Sequence, residues 1–162
     1  MMPYKFSVLY VGLIVIVNLG FSFVPPVEIA WGEKWPPMSL VVGFIFVARD
    51  FAQREIGHKV IIAMLIAALL SYYMADPFVA LASLAAFLIS EFADWVLYSF
   101  TGKPFSQRVL ISSAVSTPLD SAVFLGIIGH LSFVSVVAMT ISKMLGAFLV
   151  WWLVRKREIA LA

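Results

Sequence analysis

Glu91 and Asp94 stand three residues apart, so on a helix their carboxylates project from one face. Ser90 shares that sector, and Ala82 and Ala86 extend it with small side chains of the kind that let helices approach closely. Downstream, Ser113, Ser116, Thr117 and Asp120 fall at i, i+3, i+4 and i+7, a polar stripe that ends in a third carboxylate. Lys143 follows, with Gly146 and Ala147 beside it one turn later. Such a set can do three kinds of chemistry. A carboxylate pair can act as acid and base, it can accept the adjacent N–H donors of a polar ligand, or each acid can neutralise a cation and hold helices together. Asp120 with Lys143 is a candidate for the last role. Arg49 with Asp50, near a helix end where an arginine can snorkel, is another. The charge count favours a binding site, because Glu91, Asp94 and Asp120 face a single central cation, Lys143. At least one acid must be protonated, hydrated or met by something that arrives from outside.

Composition says what must position these residues. The chain of 162 residues is 63% hydrophobic, 15% aromatic and 12% charged, with a mean hydropathy of +1.04. A soluble domain would carry about 25% charged residues. This balance excludes a water-soluble globule, a disordered chain and a nucleic-acid-binding module. With no cysteine and two histidines, neither a thiol nucleophile nor a metal centre nor another cofactor is expected. What remains is an integral membrane protein.

A helix needs about 20 apolar residues to cross the hydrocarbon core. Six stretches approach that length, at about residues 6–24, 37–52, 60–74, 78–100, 109–128 and 133–154, punctuated by Pro25-Pro26, by Lys59, by Asp76-Pro77 and by Gly102 to Pro104. The expected fold is all-α: a polytopic six-helix transmembrane bundle forming a single domain over 1–162, with no soluble appendage. Lys5, Arg54, Lys59, Lys103, Arg108, Arg155, Lys156 and Arg157 fall on one side of such a bundle and Lys34 alone on the other, which places both termini in the cytoplasm. Trp31, Trp35, Trp151 and Trp152 suit the interfacial belts. The first span is expected to stay uncleaved, because its apolar stretch exceeds a signal-peptide h-region and no small-x-small site follows.

A charged side chain at mid-bilayer costs at least about 2.5–3.5 kcal/mol, so acids and a lysine at that depth mark a site or a pathway. Pro118 frees the carbonyl of Ala114, which is tolerated at depth only against protein or a hydrated cavity. Asn18 can line the same cavity or bond a neighbouring helix. His58, His130, Tyr72 and Tyr73 read as interfacial residues, and Gly126 and Gly129 as packing positions.

Four segments carry a resemblance. FIFVARDFAQREIG at residues 44–57 resembles the F-x-A-x-D-x-x-x-R-x-x-G signature of queuosine-precursor transporters, also called the vitamin uptake transporter family. SEFAD at 90–94, STPLDSAVF at 116–124 and Lys143 are similar to the family's later helices, in the same order. The resemblance spans about residues 38–154; it departs at Arg49, where a small polar residue is expected, and at Glu91, where relatives carry Gln. It implies uptake of a 7-deazaguanine precursor of queuosine, such as 7-cyano-7-deazaguanine, across the bacterial inner membrane, and it adds Asp50 to the candidate residues. The substrate-binding set is then Glu91, Asp94, Ser116, Asp120, Lys143, Asp50 and Asn18. A guanine-like edge presents two adjacent N–H donors, and one carboxylate, Glu91 or Asp94, can accept both. Asp120, Ser116 and Lys143 can read the carbonyl and pyrrole faces, with Phe87, Phe92 or Trp95 available to stack.

Two other classes fit parts of the pattern. A substrate-binding membrane subunit of an energy-coupling-factor importer would need an ATPase partner, since no nucleotide-binding loop occurs here. An intramembrane aspartyl-type enzyme would use the carboxylates as acid and base, yet Pro118-Leu119-Asp120 lacks flanking glycines and no protease motif is present. A non-enzymatic transporter is the expectation. Its partners are a small deazapurine and the lipid bilayer, with no nucleic acid; a homo-oligomer or an energising partner chain is compatible with the pattern.

Overall fold

Prolines and charges break the apolar sequence where the helices end. The computed structural model describes residues 4–30, 32–74 and 77–160; Trp31, Asp76 and the side chain of Arg157 lie outside that set. Its helices are α1 (Lys5–Phe23), α2 (Ser39–Ile56), α3 (Val60–Met74), α4 (Pro77–Phe100), α5 (Phe105–Ile127) and α6 (Phe133–Ala160). α1 stops before Pro25-Pro26, α2 begins after Pro36-Pro37, and Pro77 opens α4 at a first-turn position where its missing N–H costs nothing. α5 runs through Pro118 without interruption. A short 3-10 turn, Gly57–Lys59, joins α2 to α3; Gly57 has φ of +62°, a conformation that L side chains rarely adopt.

The expectation of an all-helical chain needs one addition. Val27–Ala30 (β1) and Glu33–Trp35 (β2) form an antiparallel hairpin between α1 and α2, with Val27 opposite Trp35 and Glu28 opposite Lys34. Strands this short gain little from their own ladder. Side chains fasten the hairpin to α6 instead. The Ser135 hydroxyl donates to Glu33 Oε2 at 2.5 Å, and Trp35 Nε1 donates to Ser142 Oγ at 2.7 Å. The Ser135 and Ser132 hydroxyls hold the Glu33 carboxyl below its ordinary range. Trp35, read as a belt residue, is therefore also a tie between the hairpin and α6.

The helices close a ring in the order α1, α2, α6, α5, α4, α3 and back to α1, and α2 additionally reaches α3, α4 and α5. Large apolar side chains face outward, among them Leu9, Ile16, Ile62, Leu65, Leu69, Leu81, Ile89, Leu145 and Leu149. Polar and charged ones face inward, among them Ser39, Arg49, Asp50, Ser90, Glu91, Asp94 and Lys143. A water-soluble domain sorts its residues the other way. Among the described residues, three helical runs, Ser39–Met74, Phe105–Ile127 and Phe133–Lys156, are long and apolar enough to cross a membrane, while Lys5–Phe21 is apolar but shorter. The first of these joins α2 and α3 across the 3-10 turn.

Two contacts set the position of α2. A Cβ built on Gly43 would collide with the backbone carbonyl of Lys143, and one built on Gly146 would lie 3.1 Å from the Gly43 carbonyl carbon. α2 and α6 thus cross backbone to backbone, as small residues allow. At the far end, Glu55 accepts the Phe6 and Ser7 N–H groups at 3.1 and 3.0 Å and the Ser7 hydroxyl at 3.0 Å. It caps the free amides of the first turn of α1, where Tyr4 provides no side-chain cap. Near that end the cations Arg54, Arg108 and Arg155 lie over the rings of Phe105, Tyr98 and Trp151.

Candidate functional site

The inward-facing charges separate into two networks. The first is centred on Arg49, whose side chain is fully buried. Its Nη2 meets Asp50 Oδ1 at 3.0 Å and also Asp94 Oδ2, and its Nε lies 3.6 Å from Glu91 Oε2. Nη1 donates to Gln53 Oε1 at 2.5 Å, and Gln53 Nε2 in turn donates to Ser99 Oγ at 2.8 Å. The Tyr10 hydroxyl donates to Glu91 Oε2 at 2.9 Å, and the Ser112 hydroxyl to Asp50 Oδ2 at 3.2 Å. Residues from α1, α2, α4 and α5 meet here. A guanidinium suits the position, because its planar fork of donors can serve several carboxylates at once.

The second network is smaller. Lys143 Nζ lies 2.5 Å from Asp120 Oδ2 and donates to Ser121 Oγ at 2.8 Å. The Ser121 hydroxyl in turn donates to the Thr117 carbonyl at 2.9 Å, and the Ser90 hydroxyl lies 3.1 Å from Asp120 Oδ1. Here one acid faces one cation, and the Asp120 side chain keeps 16% of its surface exposed.

One charge assignment is corrected. Arg49 does not snorkel, and Lys143 is not the single central cation. α2 touches every other helix, and Arg49 is fully buried among them. On α2, Ser39, Gly43, Phe46, Asp50 and Gln53 recur at i, i+4, i+7, i+11 and i+14 and all are buried, an inward stripe beside Arg49. That is the same kind of stripe as the one read on α5.

The structure brings Asp50, Glu91 and Asp94 onto one guanidinium, and Asp120 onto Lys143. Ser113, Ser116 and Thr117 are fully buried, as a stripe facing the interior requires. Asn18 lies elsewhere: its amide donates to the Ile14 carbonyl at 2.8 Å, and its Oδ1 accepts from Ser71 at 3.2 Å, linking α1 to α3. Of the aromatic candidates, Phe92 is 39% exposed on the outer face and Phe87 packs against the apolar core. Trp95 meets His58 edge-on at 5.6 Å. Tyr10, Gln53 and Ser121 were not among the site candidates from sequence, and Arg49 was read only as a partner of Asp50; spread over α1, α2 and α5, they show their role only when the helices pack.

Burial of this much charge is costly unless each group is paired. Arg49 carries one positive charge against three carboxyl groups, so the cluster holds more acid than cation. The sequence model of a family described as "Putative vitamin uptake transporter" matches residues 36–156. Among curated proteins and solved structures, none matches the chain.

Proposed function

Because the chain belongs to the vitamin uptake transporter family, we propose that it takes up a 7-deazapurine precursor of queuosine, such as 7-cyano-7-deazaguanine, across the bacterial inner membrane. In this reading α1 to α6 each cross the bilayer as one six-span domain, both termini are cytoplasmic, and the substrate binds near mid-membrane. Orientation rests on Lys5, Arg54, Lys59, Lys103 and Arg108 lying on one side and Lys34 on the other. The family assignment and the apolar outer surface support a membrane transporter.

One observation carries the choice of substrate chemistry: three fully buried carboxylates, Asp50, Glu91 and Asp94, share one guanidinium. Such a cluster holds more carboxyl groups than cations, and Glu91 Oε1 and Asp94 Oδ1 have no partner among the described residues. A guanine-type edge supplies adjacent donors without bringing a charge that the bilayer would resist. Lys143 and Asp120 form a paired brace in the polar interior.

The test is complementation. Cells unable to make the precursor and lacking their own uptake system should regain queuosine in tRNA when this chain is expressed and the precursor is supplied outside. Asp94→Asn, at matched membrane levels, should not restore it. Restoration by neither protein would overturn the substrate, and full restoration by the variant would remove Asp94 from the site.

A further inference from the structure

Buried polar atoms in folded proteins are nearly always hydrogen-bonded, and each exception calls for an explanation. One group of exceptions here lies on two adjacent helices. On α4, Glu91 engages Tyr10 and Arg49 through Oε2, and Asp94 engages Arg49 through Oδ2; Glu91 Oε1 and Asp94 Oδ1 have no partner among the described residues. On α5, the hydroxyls of Ser113, Ser116 and Thr117 are buried and make no hydrogen bond among the described residues. The other two acids are used on both oxygens. Asp50 holds Arg49 and Ser112, and Asp120 holds Ser90 and Lys143.

Two ties set these stretches of α4 and α5 against each other. Ser90 to Asp120 joins α4 directly to α5. Ser112 to Asp50 to Arg49 to Asp94 joins them again through α2, about one turn further along α4 and two turns along α5. The ties bracket residues 90–94 of α4 against 112–120 of α5. The unpartnered carboxylate oxygens and the unpartnered hydroxyls lie on those two bracketed segments. Acceptors are on one side and potential donors on the other.

We infer that the solute binds between α4 and α5 by split recognition: its two N–H donors go one each to Glu91 Oε1 and Asp94 Oδ1, and its carbonyl accepts from the Ser113, Ser116 and Thr117 hydroxyls. The inference rests on the proposed deazapurine substrate and goes beyond it. It replaces bidentate capture by a single carboxylate, because Arg49 already occupies the second oxygen of both acids. It adds Ser113 and Thr117 as ligand-binding residues. It also makes Asp50, Arg49, Asp120 and Lys143 positioning residues that do not touch the solute. A guanine edge fits the order of groups, since its carbonyl lies beside its two donors.

The experiment uses the purified full chain in detergent and measures equilibrium affinity and thermal stability with two probes. One is 7-cyano-7-deazaguanine and the other is the same molecule lacking the exocyclic amine. Wild type should bind the second about ten-fold or more weakly, since hydrogen bonds to charged acceptors are the strong ones. Glu91→Gln and Asp94→Asn should shrink that ratio towards one. Ser116→Ala and Thr117→Val should weaken both probes alike, by about five- to ten-fold, and leave the ratio unchanged. They should also leave Tm unchanged or raised, because the hydroxyls they remove have no partner in the unliganded protein. Equal binding of the two probes by wild type would overturn the inference. So would hydroxyl variants with lowered Tm and intact affinity, a pattern that would give these groups a structural role. These α5 variants decide the matter even if the acid variants fail to fold. Tight, discriminating binding without uptake in cells would overturn the transport reading and leave split recognition standing; uptake without discrimination would do the reverse.

Discussion

The two buried ion networks are made from the same residue types and differ in balance. Around Lys143 one carboxylate meets one ammonium, both Asp120 oxygens are engaged, and part of the acid still reaches the surface. Around Arg49 three carboxylates meet one guanidinium, all four side chains are fully buried, and two carboxylate oxygens stay unpartnered. A balanced pair can tie α5 to α6 without a further partner. An unbalanced cluster at depth calls for a proton, water or a ligand to complete it. In the proposed reading the pair positions and the cluster binds, a division that charge at mid-span does not make because both networks have it.

The contrast can be broken by removing each cation. Arg49→Met strands three carboxylates with no cation, and breaking a buried pair typically costs about 3–5 kcal/mol, so little folded protein should be recovered from membranes. Size-exclusion profiles and Tm in detergent measure this. Lys143→Met strands one carboxylate that is partly exposed, and it should cost less than Arg49→Met, in the range of about 1–3 kcal/mol. Asp120→Asn should cost less again, since the introduced amide can keep a hydrogen bond. The double variant, Asp120→Asn with Lys143→Met, should recover stability relative to Lys143→Met alone. Simple addition of the two losses would show that the pair is not coupled.

A third substitution tests the geometry that both networks share. Gly43→Ala places a methyl against the Lys143 backbone and must push α2 from α6. Overpacking of this kind costs about 1–3 kcal/mol. It should disturb the Arg49 cluster and the Lys143 brace together, because the two residues sit on the two helices that would separate. A Gly43→Ala protein with wild-type Tm would mean that the crossing has slack.

The smallest expected effect is at the hairpin. Glu33 has its carboxyl held low by the Ser135 and Ser132 hydroxyls. A group whose pKa is depressed on folding contributes stability above its ordinary value and loses it as pH falls through the depressed one. Hydrogen exchange across Val27–Trp35 should therefore be flat from pH 8 down to the ordinary carboxylate value of 4.5, after correction for intrinsic rates, and then accelerate. Glu33→Gln should remove that acid-dependent step. An unchanged step in the variant would assign it to another group.

Helix positions were legible because proline and charge interrupt the apolar runs; α3 spans residues 60–74 as the sequence indicates. The shared face of Glu91 and Asp94 was legible too, since a three-residue spacing fixes it on any helix. Arg49 was misread for a physical reason. Its position along α2 suggested a helix end, whereas its surroundings depend on α2 being the helix that all the others touch, a property of packing rather than of sequence. The hairpin was missed because its few ladder bonds are supported by Ser135 and Ser142, more than a hundred residues away. Asn18 was readable two ways, as a cavity residue or as a bond to a neighbouring helix, and a serine on α3 makes the second contact.

The most direct test of the account is the time course of labelled 7-cyano-7-deazaguanine entering intact cells that express wild type, Asp94→Asn, or no transporter. The account predicts accumulation with wild type that saturates with external precursor, and Asp94→Asn indistinguishable from the empty control at equal membrane abundance. Wild-type entry no faster than the control would contradict it.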